Sequence, residues 1–181
     1  MQTNVRVVSR AVAGVVGVIT LGCGGLSTSP NSLPPDALGS GLYCAASTGV
    51  GPVRLENGKW SREDTAGKQT VTLADPKGQG DLDGDGDEDA AVVLVSSGGG
   101  SGTFYELAVV INDQGRPVHT SSVPLGDRVK VESLGLESAR IRVKMVVHDE
   151  DDAACCPTLP VDRFYRLQDG ALIEATPSAS R

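Results

Sequence analysis

Gly80-Asp81-Leu82-Asp83-Gly84-Asp85-Gly86-Asp87-Glu88-Asp89, running directly into Ala90-Ala91-Val92-Val93-Leu94-Val95, is the stretch from which the rest of this chain is read. Five aspartates stand at alternate positions, with Gly84 and Gly86 between them. Carboxylates this close repel one another unless a cation lies among them. Calcium takes six to eight oxygens at about 2.3–2.6 Å. Alternate side chains converge on one point only if the backbone curls, and glycine permits the positive φ that a curl needs. Asp81, Asp83, Asp85, Asp87 and Asp89 are therefore the candidate metal ligands, and calcium is the candidate ion.

Counted from Asp81, the acids fall at positions 1, 3, 5, 7 and 9 with a glycine at 6, as in an EF-hand loop. The bidentate Glu at position 12 is missing, because Val92 stands there. Residues 90–95 are apolar and rich in β-branched valine, which suits a strand and not a helix. The run resembles the Asp-rich loop of FG-GAP (integrin-type) and VCBS repeats, Asp-x-Asp-x-Asp-Gly-x-x-Asp ahead of an apolar strand. That resemblance implies side-chain oxygens from Asp81, Asp83, Asp85 and Asp89 and a backbone carbonyl from position 87. Those families build propellers from many copies; here there is one copy, so the resemblance covers the loop alone. The competing reading is a solvated acidic turn without a specific ligand.

Outward from the loop the pattern is that of strands. Residues 90–95 are apolar at every position, which places them centrally in a sheet covered on both faces. Residues 103–111 put Tyr105, Leu107, Val109 and Ile111 on one face. Residues 128–134 and 140–147 alternate most clearly, with Val129, Val131, Ile141, Val143, Met145 and Val147 inward. Arg128, Lys130, Arg140, Arg142 and Lys144 then form an outward basic stripe. Residues 70–74 and 118–123 are further strands, Asn57-Gly58 and Asp169-Gly170 mark hairpins, and 96–102 (SSGGGSG) is a loop. Trp60 is expected in the core, and His148 to Asp152 forms a second acidic stretch without glycines. The fold class is all-β: an antiparallel sheet, sandwich or partly open barrel of about eight or nine strands.

The N-terminus gives an address. Residues 1–22 carry Arg6 and Arg10, then an apolar run of 11 residues (11–21, AVAGVVGVITL), too short to span a bilayer. It ends in Thr20-Leu21-Gly22-Cys23, which resembles a bacterial lipoprotein box. The resemblance implies a helical signal peptide over 1–22 and lipidation of Cys23, with several acyl chains anchoring the protein. Residues 23–41, rich in Gly, Ser and Pro, read as a flexible tether, 42–175 as the β domain and 176–181 as a disordered tail. Gly24 follows the cysteine in place of a retention aspartate, which favours an outer-membrane or periplasm-facing location in the bacterial envelope. The partner implied is the membrane, through the anchor, with an envelope protein or polysaccharide beyond it.

Net charge is −7, and without residues 1–22 there are 14 basic against 23 acidic side chains. That balance excludes nucleic acid as a partner, since phosphate backbones select basic surfaces. Cys44, Cys155 and Cys156 are the disulfide candidates in an oxidising compartment. A bridge from Cys44 to one of the pair closes a loop of about 110 residues and is favoured, with a Cys155–Cys156 bond as the alternative. Catalytic residues are sparse. His119 and His148 are the two histidines, and neither Gly-x-Ser-x-Gly, His-Glu-x-x-His nor a phosphate loop occurs. The expectation is a non-enzymatic structural or binding module. The alternatives from other classes are an envelope hydrolase and a thiol-redox protein. The Asp loop, GTFYELAVVIN, LGDRVKV, the Cys-Cys-Pro run and the last Tyr-containing strand together resemble a family of uncharacterised bacterial envelope lipoproteins, a likeness that implies no particular activity.

Overall fold

The computed structural model describes residues 32–34, 36–46, 49, 51–65 and 67–176. The expected signal peptide, Cys23 and the rest of residues 23–31, and the tail from 177 lie outside the described residues. A 3-10 turn over Leu38–Ser40 precedes β1 (Leu42–Cys44) and β2 (Pro52–Arg54). Then come β3 (Lys59–Asp64), β4 (Gly67–Gly80), β5 (Asp89–Ser97), β6 (Phe104–Asp113) and β7 (Arg116–Asp127). The chain closes with β8 (Lys130–Glu137), β9 (Arg140–Val147), β10 (Leu159–Gln168) and β11 (Ala171–Ala175). All pairings are antiparallel, in sheets ordered β1-β2, β3-β4-β5-β6-β7 and β11-β10-β9-β8. Among the described residues there is no α-helix, and no helix long and apolar enough to cross a membrane. Over the described residues the protein is all-β, with no closed barrel among them.

The run of apolar residues after the Asp loop decides this arrangement. β5 is the middle strand of five, and Ala90 to Val93 are wholly buried. Its odd-numbered residues, Ala91 and Val93, meet Leu107 and Val109 of β6 and then Ile141, Val143, Met145 and Tyr165 from the four-stranded sheet. That is the core of a two-sheet sandwich. The even-numbered residues, Ala90, Val92 and Leu94, face a second core with Val71, Ala108 and Val110. Tyr43, Val53 and Leu55 of the β1–β2 hairpin region roof that second core, together with Leu33 and Leu38. Each large apolar side chain removed from water contributes about 1.5–3 kcal/mol, so a strand buried on both faces is the main anchor of the fold. At Gly78, beside the irregularity between Ala74 and Gly78 in β4, an added Cβ would stand 2.4 Å from Leu136 Cδ1 and 2.5 Å from Leu134 Cδ2. The two sheets approach closely there because glycine has no side chain.

Tight turns follow the local sequence. Asn57-Gly58 and Asp169-Gly170 have both central residues at positive φ (51° and 77°; 51° and 75°), the two-residue hairpin geometry that matches strand twist. Ser138-Ala139 does the same at 50° and 58° without a glycine.

Three expectations change. The described part of the expected tether is not bare: Leu33 and Leu38 are 7% and 8% exposed and complete the second core, so packing begins ahead of Leu42. Even faces of β5 and β6 this apolar need a cover, and the N-terminal segment provides it. Trp60 is half-buried on edge strand β3, packed against the rim of that core. The favoured Cys44 bridge is corrected: Cys155 bonds Cys156, and Cys44 is a free, exposed thiol. Cys44 lies on β1 above the five-stranded sheet, whereas Cys155 and Cys156 sit in the β9–β10 connection of the other sheet.

Candidate metal centre

The Asp-rich run is the connection between β4 and β5, closed by the pairing of Gly80 with Asp89. Its curl is written in side-chain to backbone hydrogen bonds. The amides of Gly84 and Gly86 donate to Asp81 Oδ1 (2.6 Å) and Oδ2 (3.2 Å). The Asp85 amide donates to Asp83 Oδ1 (3.1 Å) and the Asp87 amide to Asp85 Oδ1 (2.8 Å). Aspartate favours such local turns because its short side chain reaches an amide two or three residues on. Gly84 and Gly86 have φ of 89° and 90°, with open space where a Cβ would be, so conformation and not crowding requires glycine at both.

Leu82 and Asp89 fasten the loop to the sandwich. Leu82 is 4% exposed and belongs to the core between the two sheets. Asp89 is fully buried, and its carboxylate bridges two elements. Oδ2 accepts from the Leu82 amide at 2.8 Å and Oδ1 from the Asn112 amide, at the end of β6, at 2.9 Å. Burial pushes the Asp89 carboxyl above its ordinary range. The two amides pull it down, and the charges of Asp83 and Asp85 push it up again. Asn112 is itself fully buried; its Oδ1 accepts from the Gly115 amide at 2.6 Å, and its Nδ2 has no partner among the described atoms.

One carboxylate oxygen each from Asp81, Asp83 and Asp89 lie within 4.8 Å of one another, so these three side chains could hold a metal ion. Asp81 and Asp83 are exposed and Asp89 is buried, which gives the cluster a solvent side and a protein side. Asp85 and Asp87, the other two expected ligands, are not part of that trio. Asp85 turns one oxygen onto the Asp87 amide. The sequence reading missed Asn112 as a component of the site. It reads locally as a turn residue, and only the β5–β6 register brings it beside Asp89.

The remaining candidates are dispersed. The 96–102 loop and the Asp loop lie at opposite ends of β5, about 25 Å apart at the rise of that strand. The second acidic stretch is knitted by Asp152, which accepts from the amides of Asp149 and Thr158 and from the Thr158 hydroxyl, all at 2.8 Å. Cys155 and Cys156 come after it as a bonded, exposed pair. His119 lies half-buried beneath β1, where its Nδ1 accepts from the Cys44 amide at 3.4 Å and its ring faces Tyr43 at 5.7 Å.

Fold and site together define an all-β sandwich domain with a carboxylate cluster that could hold a metal ion on its central hairpin. The chain matches no protein-family model, no curated protein and no solved structure.

Proposed function

We propose that this is a lipid-anchored protein of the bacterial envelope whose β domain is stabilised by calcium and acts as a structural or binding module. The observation that carries the reading is the convergence of Asp81, Asp83 and Asp89 on one point. All donors are oxygens, which suits a hard cation, and the loop leaves a solvent side where water completes a coordination number of six to eight. Three carboxylates outweigh the charge of one Ca²⁺, and Asp85 and Asp87 add to the field at the solvent side. Magnesium, with its demand for a compact octahedron, fits a flexible glycine-rich loop less well. The Cys23 motif supplies the membrane address, and cleavage ahead of it leaves a short Gly/Ser/Pro segment before the roof that contains Leu33 and Leu38.

A hydrolase centred on the acids requires the 96–102 loop and the Asp loop to line one pocket. The length of β5 between them favours the binding-module reading.

Calorimetry on the chain with calcium and with chelator tests the ion. Saturating calcium raises the melting temperature, by the equivalent of about 2.7 kcal/mol at one hundred times Kd. Asp81→Ala abolishes the gain. A wild-type melt identical in calcium and chelator overturns the calcium reading. Replacement of Cys23 by Ser, with mass spectrometry of the membrane fraction, tests the anchor separately; acylated peptide from the wild type and none from the variant is the expected result.

A further inference from the structure

We propose that Arg140 and Arg166 form a phosphate-binding site on the outer face of the four-stranded sheet. The two residues are direct cross-strand partners in the β9–β10 register, and both are exposed. Like charges placed opposite each other on one face destabilise a sheet pair. A chain with 23 acidic and 16 basic side chains has acids to spare for neutralising such a pair, yet it does not use them here. Among the described residues neither guanidinium has an ion-pair partner. Glu137 stands across from Arg140 on β8, and Glu174 lines the same recess, but neither makes an ion pair with them.

The neighbouring arginine shows what ordinary neutralisation looks like on this face. Arg142 is bonded to Asp162 and lies over the Phe164 ring at 5.7 Å. Within the basic stripe Arg128, Lys130 and Arg142 are paired with Asp127, Glu132 and Asp162, whereas Arg140 is left open beside Arg166 of β10. That open portion is also concave: the two arginines, Glu174, Ala175 and Thr176 line a recess of about 400 Å³.

Two guanidiniums present planar donor forks that match tetrahedral and carboxylate oxyanions. The charge decides between these. A carboxylate balances one arginine, whereas a phosphate group carries about −1.5 to −2 near pH 7 and offers three acceptor oxygens. A phosphate between the arginines therefore turns a repulsive pair into charge-assisted hydrogen bonds. Glu174 at the rim opposes it and keeps affinity moderate. The site is on the opposite sheet from the Asp loop, so it stands or falls independently of calcium.

The test is titration of the full chain with inorganic phosphate at constant ionic strength, below the solubility limit of calcium phosphate, following the arginine Nε–Hε signals by NMR. The expected result is saturable displacement of the Arg140 and Arg166 signals. Arg140→Gln and Arg166→Gln each weaken binding about tenfold or more, while Lys144→Gln, the same charge change on the same face, weakens it less than about twofold. Glu174→Gln strengthens it. In melts without phosphate, Arg166→Gln is at least as stable as wild type, and phosphate raises the melting temperature of wild type but not of Arg166→Gln. Absence of a saturable shift, or equal losses from Lys144→Gln and Arg166→Gln, overturns the proposal. Parallel titrations with glycerol 3-phosphate and glycerophosphoglycerol separate the sources. Preference for the diester assigns a phospholipid headgroup, and preference for inorganic phosphate or the monoester assigns a free phosphate compound.

Discussion

Asp89 is where the carboxylate cluster and the fold share an atom group, and its replacement separates the two roles. In chelator, Asp89→Ala leaves the amides of Leu82 and Asn112 buried without acceptors; each orphan costs about 1–3 kcal/mol, so the pair costs about 2–6 kcal/mol. Against this runs relief of a buried charge that lies near Asp83 and Asp85. Asp89→Asn gives the same relief but keeps one carbonyl acceptor. The difference between the two variants therefore isolates a single amide: Asp89→Ala is less stable than Asp89→Asn by about 1–3 kcal/mol, a large share of a domain stability near 5–15 kcal/mol. The sign of the pH dependence is set by the raised folded value. Asp89 contributes most to metal-free stability below the ordinary Asp range, and that contribution is lost as pH rises through its elevated folded value. Asp89→Asn flattens that part of the profile. The assay is urea unfolding at several pH values in chelator, followed by Trp60 fluorescence and circular dichroism. Equal stability of Asp89→Ala and Asp89→Asn in chelator would refute the claim that the carboxylate holds the loop to β6.

The packing and the side-chain partners lead to three further outcomes. Gly78→Ala destabilises by about 1–3 kcal/mol, because a methyl group there overlaps Leu134 and Leu136; chemical denaturation measures it, and a neutral result contradicts the close sheet approach. Burial holds the His119 imidazole below its ordinary range, while the Glu106 charge pulls the other way. Its stability contribution is thus complete above about 6.5 and lost as pH falls through the folded value, and His119→Gln flattens that limb of a pH–stability curve. Cys155→Ser with Cys156→Ser leaves the melting temperature nearly unchanged, since a bond between neighbours closes no chain loop; a loss of several degrees would instead fit the Cys44 bridge.

Short-range signals were legible in the sequence, and long-range ones were not. The unbroken apolar run at residues 90–95 specified a strand covered twice, and the structure buries both of its faces. Alternation placed Ile141, Val143 and Met145 inward, and Asn57-Gly58 and Asp169-Gly170 marked turns whose φ values only such residues adopt readily. By contrast, Leu33 and Leu38 are single apolar residues in a Pro/Ser-rich segment, without periodicity, and nothing local tells that they cover a sheet. The Cys44 bridge failed for the same reason, because entropy arguments favour long loops without saying which sheet each thiol occupies. In the carboxylate cluster, the alternate aspartates were plain, but which of them converge depends on where Asp89 is pinned by Asn112, a residue 23 positions away.

That pinning bears on why such a charged run sits at the middle of the fold and not at an edge. A loop that binds a cation only through exposed residues can stabilise little more than itself. Here the loop begins with Leu82 in the sandwich core and ends with Asp89 at the head of the central strand. Closing the loop fixes the β4–β5 register at Gly80 and Asp89, and β5 in turn sets β6. A one-residue slip of β5 would exchange its two faces, but both faces are apolar, so hydrophobic patterning discriminates weakly against that slip. The aspartate bonds to Leu82 and Asn112 supply the discrimination that the side-chain pattern lacks. An ion drawing Asp81 and Asp83 toward Asp89 would reinforce the same alignment. Binding energy at the loop would then appear as register specificity in the sheet, and through the sheet as stability of both cores.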